Sequence, residues 1–257
     1  MDLGISGKVF IVTGGGKGIG GAITSQLAQE GAIPVIFDRD EAAAESLRAE
    51  LGADQVHYQK VDLCDTDACQ YAVSATVDLL GRIDGLINNA GVNDGVGLES
   101  GDPGKFRASL EKNLYHFYDM AHFCLPHLKA SQGSILNIGS KTAETGQGNT
   151  SGYAAAKGGV MALTREWAVE LLKFHIRVNA IIPAEVMTPL YRQWLDTFDD
   201  PSAKEKSITD KIPLGNRMTD ANEIAHMAVF LLSSKASHIT GQHIHVDGGY
   251  THLDRII

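Results

Sequence analysis

Short runs that are apolar at nearly every position recur along this chain, each followed by a stretch with helical spacing. The runs are Lys8–Thr13, Pro34–Phe37, a segment around Val56–Val61, Gly85–Asn88, Ser134–Ile138, Ile176–Ile182 and Gln242–Val246. Between the first two, Ile19, Ala22, Ile23, Leu27 and Ala28 keep a helical period, and Asp40–Leu51, Asp65–Leu80, roughly Pro103–Leu128 and Asp220–Leu232 read as further helices. A strand that is apolar on both sides has to be covered on both faces, and strands alternating with helices build βαβ units. No repeat, low-complexity tract or linker divides the 257 residues. The expectation is one α/β domain over residues 1–257, a doubly wound central parallel sheet with helices on both faces.

The alternation fails between Pro183 and about Asn216. This stretch is polar, contains Pro189, Pro201 and Pro213, and keeps one short amphipathic pattern at Tyr191, Trp194, Leu195 and Phe198. A long excursion at the carboxyl edge of a parallel sheet predicts a cover over a ligand crevice.

Thr13-Gly-Gly-Gly-Lys-Gly-Ile-Gly20 joins the first strand to the first helix. Glycines there allow positive φ and let the backbone approach a pyrophosphate resting on the free N–H groups of the helix start. Two registers fit: Gly16, Gly18 and Gly21, or Gly14, Gly18 and Gly20 after a threonine. Asp38 closes the second strand, where a carboxylate can accept from adenosine ribose hydroxyls and repels a 2′-phosphate. This favours NAD over NADP, but Lys17 and Arg39 could neutralise that phosphate, so both cofactors stay open.

Tyr153 and Lys157 are four residues apart and share one helix face. Val160, Leu163, Thr164, Trp167, Ala168, Leu171 and Leu172 continue that face as an apolar stripe, so a phenol and an ammonium lie on the packed side of a helix. Ala154, Ala155 and Ala156, with Gly158 and Gly159, leave the other faces small enough for a second helix to approach.

Composition excludes several classes. A formal charge of -9 without a Lys/Arg cluster argues against a nucleic-acid surface. Cys64, Cys69 and Cys124 form no CxxC pair, which fits reduced thiols in a cytoplasm and no metal site. No signal-peptide layout or membrane-length apolar run is visible, so a soluble cytoplasmic protein is expected.

Taken together and in order, these motifs resemble the short-chain dehydrogenase/reductase family. The pattern runs through Thr13-Gly14-xxx-Gly18-x-Gly20, Asp62, Asn88-Asn-Ala-Gly91, Asn113, Ser140, Tyr153-xxx-Lys157, Pro183…Thr188-Pro189 and Asp247-Gly-Gly249. The resemblance implies a Rossmann fold, a nicotinamide cofactor and a catalytic set of Asn113, Ser140, Tyr153 and Lys157. In it Tyr153 is the general acid/base, Ser140 holds the reacting oxygen, Asn113 anchors a relay water, and Lys157 holds the nicotinamide ribose. A phenol pKa of about 10 must fall by ~3 units, or about 4 kcal/mol, to work near neutrality. A neighbouring ammonium supplies ~1–3 units, so Lys157 is expected to carry much of the shift. The cofactor path implied is Gly14, Lys17, Gly18, Ile19, Gly20, Asp38, Arg39, Asp62, Leu63, Asn89, Ala90, Gly91, Val186 and Thr188, with Tyr153 and Lys157. The family commonly has Pro-Gly where this chain has Pro183-Ala184, and Glu185 follows directly.

Positions expected to face substrate are Asn93, Asp94, Ser140, Lys141, Gln147, Tyr153, Glu185 and Tyr191, with Glu144, Asn149 and Trp194 near them. The set is polar where a steroid or acyl pocket would be apolar, which points to a compact polyhydroxylated ligand. Within the family, Ser140-Lys141 with Pro183–Pro189 looks most like the bacterial L-fucose dehydrogenases, which implies oxidation of an aldopyranose to a lactone. A 3-oxoacyl or hydroxysteroid reductase and a non-catalytic cofactor sensor are the alternatives. Family members often pair the Tyr153 helix across a two-fold axis, so a homotetramer is expected, with Ile256-Ile257 in a second interface.

Overall fold

The computed structural model describes residues 2–253. Seven strands form one sheet in the order β3-β2-β1-β4-β5-β6-β7, every neighbouring pair parallel. The strands are β1 (Val9–Thr13), β2 (Ile33–Asp38), β3 (His57–Lys60), β4 (Gly85–Asn88), β5 (Ser134–Ile138), β6 (Arg177–Pro183) and β7 (His243–Val246). Along β1, Val9 and Ile11 enter one apolar layer while Phe10 and Val12 enter the other, the two-residue period of a strand buried on both faces. Helices α3 (Thr66–Leu80), α5 (His116–Ser131) and α7 (Ser151–Glu170) cover the Val9 face; α1 (Gly18–Gln29) and α10 (Ala221–Leu232) cover the Phe10 face. Ala44 and Leu47 of α2 (Glu41–Leu51) pack on Ile36 and Val56. Each fully buried Ile, Leu or Phe here contributes about 1.5–3 kcal/mol of transfer free energy. The Rossmann α/β sheet expected from the strand pattern is the one observed.

Strand order reverses between β1 and β4, so their carboxyl ends open a crevice at the switch point. The first glycine turn and the Asn88–Gly91 turn both lie there.

Three local expectations change. The predicted Pro103–Leu128 helix is α4 (Pro103–Leu110) and α5, joined through a π-helical turn at Glu111–Tyr115 that contains Asn113. The Tyr153 stripe ends with α7 at Glu170: Leu171 is buried, but Leu172 starts a 3-10 turn (Leu172–Phe174) that departs from the α-helical period and is exposed. The excursion after Pro183 holds two helices, α8 (Pro189–Leu195) and α9 (Pro201–Thr209), around a small apolar cluster of Leu195, Ile212 and Met218.

The small residues of α7 are not all free. Ala156 is buried and the Gly159 α-carbon faces Leu114, whereas Ala155 is exposed. Ile256-Ile257 lies outside the described residues.

Candidate active site

The glycine turn is shaped by two left-handed residues, Gly14 (φ 62°) and Gly18 (φ 59°). A Cβ on Gly20 would run into the Gly14 carbonyl and approach Asn89 Nδ2 to 2.6 Å. Gly16 and Gly21 carry no positive φ, so of the two registers it is Gly14, Gly18 and Gly20 that the backbone requires. Asn89 braces this turn, its Nδ2 donating to the carbonyls of Thr13 (2.9 Å) and Gly14 (3.2 Å). The Thr13 hydroxyl accepts from the backbone N–H of Asn89 and Ala90.

Asp side chains cap α2, α3, α4, α9 and α10, but the first turn of α1 has no side-chain cap. Its uncapped N–H groups, behind a turn with no side chains at Gly14, Gly18 and Gly20, fit a pyrophosphate. Asp38 Oδ2 accepts from Gly16 N–H at 3.2 Å, which holds the carboxylate at the rim of the turn. Lys17 bonds Asp40 at 2.6 Å rather than Asp38, and Arg39 is exposed. Asp62 caps its own turn through Cys64 N–H and lies exposed beside half-buried Leu63. Thr188 caps α8 and places its methyl 3.5 Å from where a Gly18 Cβ would stand, while buried Val186 bridges to Thr219. The glycine turn, the uncapped start of α1 and the Asp38 carboxylate at the rim are chemically suited to a nicotinamide dinucleotide. A nicotinamide cofactor supplies the hydride acceptor or donor.

The chemistry-bearing side chains converge where β4, β5 and α7 meet. Ser140 follows β5; its hydroxyl donates to Thr142 Oγ1 (3.1 Å), accepts from Thr142 N–H (3.2 Å) and lies near enough to the Tyr153 phenol to influence its ionisation. Lys157 is buried, its Nζ donating to the Ile138 carbonyl at 2.8 Å and lying 5.7 Å from the Tyr153 ring centre. A Cβ on Gly91 would lie 2.9 Å from Asn113 Oδ1 and 3.6 Å from Lys157 Nζ, so Gly91 keeps the space between them open. Asn113 is committed: Oδ1 accepts from Val92 N–H at 2.7 Å and Nδ2 donates to Ser109 O at 2.9 Å. The π turn places that carboxamide between the loop at Val92 and the last turn of α4.

Electrostatics differ from the expectation that Lys157 draws the phenol down. Burial pushes the Tyr153 phenol up to about 12, against which the Ser140 hydrogen bond acts. Burial pushes Lys157 down to about 7. At both groups desolvation is the dominant influence, and it favours the neutral form of each.

Beside this centre lies a second polar group. Buried Lys141 pairs with Glu185, and Glu185 Oε2 accepts from Tyr191 OH at 2.7 Å. Lys141 Nζ also sits 3.9 Å from the centre of the Tyr250 ring. Burial and the Glu185 carboxylate both raise the Tyr191 phenol. Tyr250 carries no signal in the sequence, since it follows Asp247-Gly-Gly249 in an irregular turn.

Other expected substrate positions are engaged locally. Asn93 accepts from Gly95 N–H, Asp94 from Ser109 Oγ (2.8 Å), and Gln147 from Thr142 Oγ1 (3.3 Å). Asn149 is exposed in a left-handed turn, Trp194 is exposed against the Tyr191 edge, and Glu144 faces His245.

Comparison with known proteins agrees with this geometry. A family model described as enoyl-(acyl carrier protein) reductase matches residues 14–251. The chain belongs to the short-chain dehydrogenase/reductase family, and is an oxidoreductase that binds a nicotinamide cofactor. Among its relatives, L-fucose dehydrogenase of Bos taurus is 37% identical over 95% of this chain and 89% of its own. The 3-oxoacyl-[acyl-carrier-protein] reductase FabG of Thermotoga maritima is 34% identical over 95% and 98%. Among solved structures, Cj0485 dehydrogenase matches with a TM-score of 0.96 and 48% identity, over 100% of this chain and 99% of that one. Thermoplasma acidophilum aldohexose dehydrogenase matches with a TM-score of 0.90 and 29% identity, over 99% and 98%. No helix among the described residues is long and apolar enough to cross a membrane.

Proposed function

We propose that this chain oxidises the anomeric hydroxyl of an aldopyranose, L-fucose or a similar sugar, to the lactone. The observation that carries the reading is the partly buried Lys141–Glu185–Tyr191 network beside Ser140. Such a wall presents fixed donors and acceptors to a polyol, whereas an acyl chain or steroid would bury this polar surface without bonding to it. Similarity to L-fucose and aldohexose dehydrogenases supports it.

In this reading the Tyr153 phenolate would take the hydroxyl proton, and a bound oxidised nicotinamide would supply the acceptor for the hydride of the anomeric carbon. Ser140 donates to the reacting oxygen and steadies its developing charge. Lys157 holds the nicotinamide ribose and passes the proton outward past Gly91, with Asn113 fixing the turn that bounds that route. Asn93, Asp94 and Gln147 form the outer rim, and residues 183–216 cover the sugar. Asp38 directs preference to NAD, because Lys17 is occupied by Asp40. The assembly is a homotetramer in which exposed Tyr115, Tyr118, Ala155 and Val169 meet a second copy.

A cofactor-by-substrate matrix tests this. L-fucose, D-arabinose and L-galactose, a 3-oxoacyl thioester and a steroid ketone are each assayed with both nucleotides. Reduction of NAD+ by at least one sugar is expected. Turnover confined to the acyl or steroid ketone with NADPH would establish the reductase reading instead, and nucleotide binding without turnover the sensor.

A further inference from the structure

Glu144, His245 and His252 come from three separate parts of the chain: α6 (Thr142–Thr145), β7 and the turn beyond it. Glu144 Oε2 lies 3.0 Å from His245 Nε2 and 3.7 Å from His252 Nε2, and one ligand atom from each residue falls within 4.8 Å of the others. The two imidazoles meet edge-on, with ring centres 4.3 Å apart. His243, two residues earlier on β7, is committed to the Met161 carbonyl and does not join them.

We propose that Glu144, His245 and His252 bind a divalent transition-metal ion, zinc foremost, with water completing the coordination. Two imidazoles and one carboxylate are a zinc donor set; magnesium and calcium take oxygen ligands. Zinc–ligand bonds of ~2.0–2.1 Å at a tetrahedral angle separate ligand atoms by about 3.3 Å. The observed 3.0 and 3.7 Å straddle that value. The site is independent of which substrate the enzyme takes. Its consequence is mechanical: Glu144 N–H donates to Lys141 O, and Tyr250 packs under Lys141 Nζ. An ion here would clamp the turn after Ser140 to the segment that carries Tyr250, fixing two walls of the crevice.

The test uses tag-free, chelator-stripped full-length protein carrying Cys64→Ser, which removes the one exposed thiol among the described residues. After dialysis against ZnCl2, about one zinc per chain is expected by elemental analysis. H252N and E144Q should each weaken zinc binding by roughly tenfold or more in calorimetry. Zinc should raise the melting temperature of the parent but not of H252N, while MgCl2 does neither. His252 is mostly exposed, so H252N keeps the fold, checked by an unchanged far-UV spectrum. Zinc retained at well under half an equivalent, or bound equally by H252N, overturns the proposal, whatever the sugar assay shows.

Discussion

Lys157→Met in the cofactor-free protein separates desolvation from every other effect on this site. Burial lowers the Lys157 ammonium from 10.5 to about 7. Between those two pH values the unfolded chain holds a proton that the folded chain has released. Stability therefore rises with pH across this window, and the full penalty applies below pH 7. The linkage slope for one proton is ~1.4 kcal/mol per pH unit, halved near pH 7 where the folded group is half-titrated. Integration from pH 7 to 9 gives about 2 kcal/mol, out of a total penalty of about 4 kcal/mol at pH 7.

Methionine does not titrate, so Lys157→Met removes this slope and leaves the rest of the protein's pH dependence in place. Urea unfolding of both proteins at pH 7, 8 and 9, without nucleotide, gives the difference at each pH. Wild type should gain about 2 kcal/mol relative to Lys157→Met between pH 7 and 9. The absolute difference at any one pH also contains packing and the lost bond to the Ile138 carbonyl, so only its change with pH carries the argument. A difference that stays flat within about 0.5 kcal/mol would mean that Nζ keeps its proton to pH 9, and the desolvation argument would be refuted.

Three further outcomes follow from the site. Tyr153→Phe should lower kcat by ~10²–10⁴-fold with nucleotide affinity, read by fluorescence titration, almost unchanged; because burial raises the phenol toward about 12 and oxidation needs the phenolate, wild-type oxidation should accelerate from pH 6 to 10, and a flat profile contradicts the assignment. Asp38→Ala should raise the NADP/NAD ratio of kcat/KM by roughly tenfold or more by removing a like-charge contact, and an unchanged ratio would place discrimination elsewhere. Gly20→Ala puts a Cβ into the Gly14 carbonyl; overpacking of this kind costs ~1–3 kcal/mol, a fall of roughly 2–10 °C in melting temperature for a chain of this size, with loss of nucleotide binding. A Gly20→Ala protein that melts and binds like wild type would mean the turn can relax.

The five inner strands were legible because they are largely apolar on both sides, a pattern set by local residue choice and independent of distant contacts, whereas the edge strands β3 (HYQK) and β7 (HIHV) carry polar residues. The Tyr153–Lys157 pair was legible for the same reason: four-residue spacing on a stripe is a local fact. What failed depends on groups that meet only after folding. A helical period over Pro103–Leu128 cannot reveal a π turn, since the extra residue at Glu111–Tyr115 is stabilised by Val92 and Ser109. Leu172 kept the period of α7, yet the helix ends at Glu170 and Leu172 opens a separate 3-10 turn that His175 closes in a left-handed conformation. Lys141 and Glu185 were each identifiable as polar residues near Ser140 and Pro183. Their pairing across 44 residues depends on β5 and β6 being neighbours. Tyr250 and the Glu144–His245–His252 cluster are products of that same sheet edge.

The direction of the two central pKa shifts bears on how the site is switched on. A protein that stabilised the phenolate at rest would need a fixed, solvated cation beside Tyr153. Here the nearest ammonium is buried, tends toward neutrality near pH 7, and bonds a backbone carbonyl. Both groups thus favour their neutral forms, because burial strips water from each. In the sugar dehydrogenase reading, ribose hydroxyls accepting from Nζ and the positive nicotinamide would reverse both preferences together, since each favours the charged form of its neighbour. Activation of Tyr153 would then be coupled to loading of the oxidised cofactor, and the phenol would be held as an acid after the hydride has neutralised the ring. Nucleotide binding should accordingly release a proton above pH 7 if the phenol ionises and take one up if Lys157 charges first. The net proton count on binding, measured by calorimetry in buffers of different ionisation enthalpy for wild type and for Tyr153→Phe, identifies which group responds, because release at the phenol and uptake at Lys157 cancel when both respond. A count of zero for both proteins at every pH from 6 to 9, together with a flat Lys157→Met difference, would leave the two groups uncoupled to the cofactor.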